Sequence, residues 1–150
     1  MDVDEFLPNR NPKYAHIVKR IPSGWGYWIQ CDDGWADLII QLDKDLAEID
    51  PNYELHQCKE KFGELRYYTG HHEDACTPEG EHDWKTCPFE QRIRKATELS
   101  TRTCEVCGQP GQLRTTEGGW YKTVCNKHAG DKFVKVVGSE EQPPNSTVIL

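Results

Sequence analysis

The sequence lacks any apolar run approaching the ~20 residues that a membrane-spanning helix needs, which excludes such a helix. The opening Met1-Asp-Val-Asp-Glu-Phe6 lacks a basic segment and an apolar stretch, so no export signal is expected. Apolar side chains are scarce, at 36% of 150 residues, and a thin core follows. An excess of positive charge is also missing. The formal balance of −7 argues against a sequence-independent binder of duplex DNA, whose affinity comes from neutralised phosphates. There is no Gly-x-x-x-x-Gly-Lys-Ser/Thr phosphate loop, no Gly-x-Ser-x-Gly nucleophile elbow and no His-Glu-x-x-His.

Cysteine, by contrast, is plentiful. Seven in a chain without an export signal predict metal ligands or free thiols rather than a disulfide framework, and a reducing cytoplasm as the compartment. Charge is divided along the chain. Residues 1–88 carry 9 Lys/Arg against 18 Asp/Glu, whereas residues 89–135 carry 9 against 5. The split reads either as chance clustering on solvated faces, or as an acidic body with a basic C-terminal end that meets an anion; an acidic face could equally contact a basic protein surface.

Residues 1–13, with Pro8 and Pro12, read as a flexible arm, and residues 139–150, with Pro143-Pro144, as a flexible tail. Between them an α+β body is expected over 14–100 and a zinc-ribbon module over 101–138. A helical turn is predicted at Tyr14–Arg20 and a strand at Trp25–Cys31. Trp35, Leu38, Ile39, Leu42, Leu46 and Ile49 then recur at helical spacing, with Asp32 and Asp33 as candidate N-caps and Asp50-Pro51 as the stop. Tyr53–Lys59 and Leu65–Thr69 predict a β-hairpin turning through Lys61-Phe-Gly-Glu64. Residues 70–88 read as a long inserted loop. Pro88 at a first helical position starts another helix, with Ile93, Ala96, Thr97 and Ser100 facing inward. A short strand is predicted at Phe133–Val137.

Cys104-Glu-Val-Cys107-Gly108 and Cys125-Asn-Lys-His128 carry the strongest chemical signal. Zinc takes four soft or borderline ligands in a tetrahedron, and pairs spaced by two residues place both on one ion. The segments Gln112–Thr116 and Trp120–Val124 flank Glu117-Gly-Gly119 as a hairpin, and the second ligand pair opens a helical turn. Knuckle, hairpin and ligand-bearing helix predict a treble-clef-like zinc ribbon. Four protein ligands leave no position for water, so a structural Zn2+ is expected. A deaminase would pair His-x-Glu with Pro-Cys-x-x-Cys. His71-His-Glu73 matches the first half, but Thr103 stands where the proline should.

Two weaker constellations remain. His71, His72, Cys76, His82 and Cys87 could hold a second metal, although their spacings match no standard pairing; a solvated loop or a Cys76–Cys87 disulfide are the plainer alternatives. Lys59, Lys61, Arg66 and Tyr68 could converge on one hairpin face to grip a phosphate and stack on a base. The plainer alternative is a structural hairpin with Phe62, Leu65 and Tyr67 packed on the 34–49 helix and the cations paired to Glu60 and Glu64.

Gly34-Trp35, Lys61-Phe-Gly-Glu-Leu-Arg-Tyr67, Cys104-Glu-Val-Cys-Gly108, Gly119-Trp120 and Thr123-Val-Cys-Asn-Lys-His128 occur in this order. In that set the chain resembles a family of small bacteriophage and bacterial proteins that brings no settled activity with it. The resemblance covers roughly residues 33–70 and 89–130, and makes 71–88 an insertion. It implies a phage-type accessory or counter-defence protein in the cytoplasm of a bacterial host, acting by association with a host protein. Three functions are therefore carried forward: a non-catalytic zinc-stabilised binding protein, a binder of nucleotide or single-stranded nucleic acid through the 59–68 hairpin, and a metal-dependent hydrolase or nuclease using the 71–87 loop.

Overall fold

The apolar stripe beginning at Trp35 folds as its spacing predicts, first as a turn of 3-10 helix over Asp33–Trp35 and then as an α-helix over Ala36–Ile49. The computed structural model describes residues 11–24, 29–71 and 87–136; the predicted arm before residue 11 and the predicted tail lie outside them. Among the described residues the architecture is mixed α+β. In chain order the elements are α1 (Ala15–Val18), β1 (Ile29–Gln30), α2 (Ala36–Ile49), β2 (Glu54–Lys61), β3 (Glu64–Gly70), α3 (Pro88–Ser100), β4 (Gln112–Thr115), β5 (Tyr121–Val124), α4 (Asn126–Ala129) and β6 (Val134–Lys135).

One sheet has the order β1-β2-β3, with β1 parallel and β3 antiparallel to β2; the other has the order β5-β4-β6 and is antiparallel throughout. Trp35, Ile39, Leu42 and Leu46 of the helical stripe are fully buried. They meet Leu55, Cys58, Leu65 and Tyr67 of the first sheet, and Phe89, Ile93 and Ala96 of α3, in one core. Full burial of each large apolar side chain stabilises the fold by about 1.5–3 kcal/mol. Ile49, the last member of the stripe, is instead 37% exposed, because the chain leaves the helix at Asp50. There Asp50 accepts the Asn52 N–H (3.1 Å), a turn that sends the chain into β2.

The edge of β3 is covered rather than left open. Ser100 Oγ accepts the Leu65 N–H (2.9 Å), and Thr97 Oγ1 donates to the Leu65 carbonyl (3.2 Å). This satisfies backbone groups that would otherwise recruit another strand. Asp32 and Asp33 do not cap α2 with their side chains, contrary to the sequence reading. Asp32 is drawn away by Lys122, whose Nζ lies 3.1 Å from its carboxylate. Of the predicted strand at 25–31, residues 25–28 lie outside the described set and Ile29–Gln30 are extended.

A polar group in the main core has no precedent in the apolar stripe. Asp43, 2% exposed, accepts Arg20 Nε at 2.7 Å and the Tyr53 hydroxyl, and lies 3.4 Å from His16 Nε2. Tyr53 and Tyr67 hydroxyls are 2.8 Å apart, and the Arg20 guanidinium sits 4.4 Å over the Tyr53 ring. The group ties α1, α2 and the hairpin together at one end of the core.

Candidate metal centre and the surface it supports

Beyond α3 the described residues bury little apolar surface of their own: Cys104, Val124 and Ala129 form their cluster, with Cys125 and Phe133 packed against them. Its order comes from polar closure. The Cys104 N–H donates to the Gln109 carbonyl (2.7 Å) and the Gly108 N–H to the Cys104 carbonyl (2.9 Å), forming a tight knuckle. Gly108 sits at φ +81, a conformation only glycine takes without steric cost. Cys125 stands at the N-terminus of α4, so its side chain and that of His128 are one helical turn apart.

These elements bring the four predicted ligands together, with one donor atom from each of Cys104, Cys107, Cys125 and His128 lying within 4.8 Å of all the others. A tetrahedral zinc with thiolates at ~2.3 Å and imidazole at ~2.0–2.1 Å would set edges of about 3.8 Å between sulfurs and about 3.6 Å from sulfur to nitrogen. Cys107 Sγ and Cys125 Sγ are 3.8 Å apart; His128 Nδ1 is 3.7 Å from Cys104 Sγ and 3.2 Å from Cys125 Sγ. The cage therefore has the dimensions of a small metal ion's coordination shell. Burial by itself would raise the Cys125 thiol, but hydrogen bonds from His128, Cys107 and Cys104 bring it down to about 6. Cys107 is raised, by burial first and then by the neighbouring sulfurs. One thiolate is thus already favoured at neutral pH, and a cation is what allows the others to ionise together.

Arg114 braces the cage from behind. It is 5% exposed, and it donates from Nε to the Val124 carbonyl (3.0 Å) and from Nη2 to Asn126 Oδ1 (2.6 Å). Both contacts flank Cys125 directly.

The knuckle is bonded to the main body through Gly34 and Trp35. The Gly34 N–H donates to the Glu105 carbonyl (2.6 Å), and Trp35 Nε1 to the Thr103 carbonyl (2.8 Å). A Cβ on Gly34 would lie 2.2 Å from the Cys104 carbonyl oxygen and 2.3 Å from that of Glu105, so no side chain fits there. Glu105 turns toward the body and accepts the Asp32 N–H (3.0 Å). Burial pushes its carboxyl up to about 7 against the pull of that N–H and of Lys122. The sequence places Trp35 on the apolar stripe that runs through α2 and gives Gly34 no role of its own. Both seat the Cys104–Gly108 knuckle against the body.

A second junction joins the hairpin tip to β4 and β5. Thr123 Oγ1 donates to the Gly63 carbonyl (2.5 Å), and a Cβ on Gly63 would meet Leu113 Cδ1 at 2.4 Å. Lys61 pairs with Glu64 across a two-residue turn in which Phe62 (φ +54) and Gly63 (φ +82) are both left-handed, the type I′ geometry. Phe62 is 62% exposed and makes an edge contact with Tyr121 of β5, ring centroids 6.5 Å apart.

The register then places Lys59 opposite Arg66, with Lys61 and Tyr68 on the same side, while Cys58, Leu65 and Tyr67 point into the core. The four candidate ligand-binding residues do share one outward face. Arg66 Nη2 is held by Glu64 at 2.6 Å, so one expected ion pair is present, whereas Glu60 instead accepts the Gly63 N–H (2.7 Å). Phe62, which the plainer of the two alternatives packed on the 34–49 helix, is turned outward by the positive φ of the turn.

The second proposed metal cluster is corrected in part. Cys87 is buried and disulfide-bonded, so it offers no thiolate to a metal, and a disulfide at this cysteine is one of the plainer alternatives that its sequence left open. His71 stacks on Phe89 with centroids 4.2 Å apart, its Nδ1 3.8 Å from Glu90. His72, Cys76 and His82 lie outside the described residues. Among the described residues the Cys104–His128 group is the one set that could hold a metal. No family model, curated protein or solved structure matches this chain.

Proposed function

We propose that this chain is a non-catalytic binding protein stabilised by one zinc ion, with the outer face of β2–β3 as its working surface. Three thiolates and one imidazole suit zinc among the common divalent ions, and four protein donors close the shell against water. Knuckle, hairpin and ligand-bearing α4 then form a treble-clef-like unit. The observation that carries the reading is the double junction, Gly34 against the knuckle and Gly63 against β4–β5, which makes the hairpin tip part of the metal module's packing. The ion acts as a brace, and the braced surface meets the partner. The phage resemblance suggests a host protein as partner, while the cations and rings of the braced face equally suit the nucleic acid of the second function carried forward.

The test compares zinc-loaded wild type with Lys59→Glu/Arg66→Glu on the hairpin face and with Lys44→Glu on α2 as a control. Each is used to capture material from bacterial lysate, with and without nuclease treatment. The reading predicts stoichiometric capture by wild type and the α2 control, lost in the hairpin variant. Equal capture by all three, or by none, contradicts it.

A further inference from the structure

We infer that the outer face of β2–β3, extended at its tip by Tyr121, is a track for single-stranded nucleic acid; the inference rests on the proposed function and supplies its ligand class. Lys59, Lys61 and Arg66 lie on this face against two carboxylates, Glu64, which holds Arg66, and Glu54, which lies beyond Tyr68 and is paired with His56. The face is thus a basic strip on a body whose first 88 residues are strongly acidic. Flat rings stand at both ends of the strip. Tyr68 is 46% exposed at one end, and at the other are Phe62, at 62%, and Tyr121, at 40%.

Phe62 is the decisive residue. Its φ of +54 is a backbone state that glycine or asparagine adopts far more cheaply, and its exposure means that core packing does not repay the strain. The Lys61 ammonium lies 5.5 Å from the ring centroid, so a cation and an aromatic face are presented together. Single strands offer matching chemistry in alternation, a phosphate for each cation and a base face for each ring. Duplex DNA hides its base faces, and an acidic peptide has no flat partner for the rings. From the Gln57–Tyr68 pair to the Lys61–Glu64 pair is four residues of strand. That is ~13 Å, room for roughly four bases at a rise of ~3.4 Å.

The experiment is fluorescence anisotropy of zinc-loaded protein with a labelled oligothymidylate of about 12 nucleotides, which spans one such track, and with polyglutamate of similar length. Oligothymidylate should bind at about 20 mM salt, and three neutralised phosphates should give a log–log salt slope of about −2. Arg66→Ala should make that slope shallower by about 0.7. Tyr68→Ala and Phe62→Gly should each weaken binding about fivefold or more. Phe62→Gly relieves the left-handed strain, so its thermal midpoint should stay level or rise while affinity falls, which separates lost stacking from lost folding. No binding at low salt, equal affinity for polyglutamate, or indifference to both aromatic substitutions overturns the inference. If it fails while face-dependent capture persists in nuclease-treated lysate, the ligand class alone is wrong. If both fail, the reading beneath it is wrong too.

Discussion

Replacing Gly34 by alanine isolates the junction between body and metal module. Gly34 is not among the left-handed glycines, so by backbone entropy alone alanine would stabilise the fold by about 0.4–1 kcal/mol. The surroundings reverse that sign. The new Cβ would overlap two carbonyl oxygens at 2.2 and 2.3 Å, against an ordinary carbon–oxygen approach of about 3.3 Å. The knuckle must therefore retreat by about 1 Å, at an overpacking cost of about 1–3 kcal/mol. Retreat also stretches the Gly34–Glu105 and Trp35–Thr103 hydrogen bonds, each worth about 1 kcal/mol. The net expectation is a loss of about 3 kcal/mol in urea unfolding at saturating zinc, with metal affinity about tenfold weaker by chelator competition. Gly119→Ala is the control, since nothing lies within 4 Å and only its φ of +85 resists, costing about 1–2 kcal/mol. A Gly34→Ala protein as stable as wild type, with unchanged metal affinity, would refute the reasoning.

Other perturbations test other joints. Asp43→Ala leaves the Arg20 Nε–H and the Tyr53 hydroxyl short of their acceptor in the core, so a loss of about 3–5 kcal/mol is expected in denaturant titration. Arg114→Met should cost about 3 kcal/mol through two lost charge-assisted hydrogen bonds, and chelator competition should find zinc held about tenfold or more less tightly. Burial works to raise Asp45, but the Arg92 and Gln41 hydrogen bonds outweigh it and hold this carboxyl below the usual range. Its contribution is therefore present above the unfolded value of about 4 and is lost as pH falls through the lower folded value. The stability difference between wild type and Arg92→Met should be flat from about pH 5 to 8, under about 1 kcal/mol, and should shrink below about pH 4.

Elements with a strong period were legible from sequence. The α2 stripe needs only one apolar face, and that face is buried from Trp35 to Leu46. Pro88 marked the start of α3 because a residue without an N–H fits a first helical position. The clustering of Cys104, Cys107, Cys125 and His128 was legible because two-residue spacing within each pair is itself a geometric requirement for a shared ion. What escaped was non-local. Asp43 gives no sign that Arg20, Tyr53 and His16 surround it, since His16 and Arg20 come from one distant segment and Tyr53 from another. The fit of Gly34 under Cys104 depends on a contact across seventy residues of chain. Core packing of Phe62 stayed open as an alternative because aromatics are usually buried; the signal against it was its place directly before Gly63 in a two-residue turn, where both residues take positive φ.

The central claim is that one ion held by Cys104, Cys107, Cys125 and His128 braces the hairpin face. X-ray absorption at the zinc edge of purified protein addresses it most directly, read together with metal-to-protein stoichiometry. The account predicts one zinc per chain, with three sulfurs at about 2.3 Å and one nitrogen at about 2.0–2.1 Å. Metal-free protein that keeps its full stability, or a shell of nitrogen and oxygen alone, would contradict it.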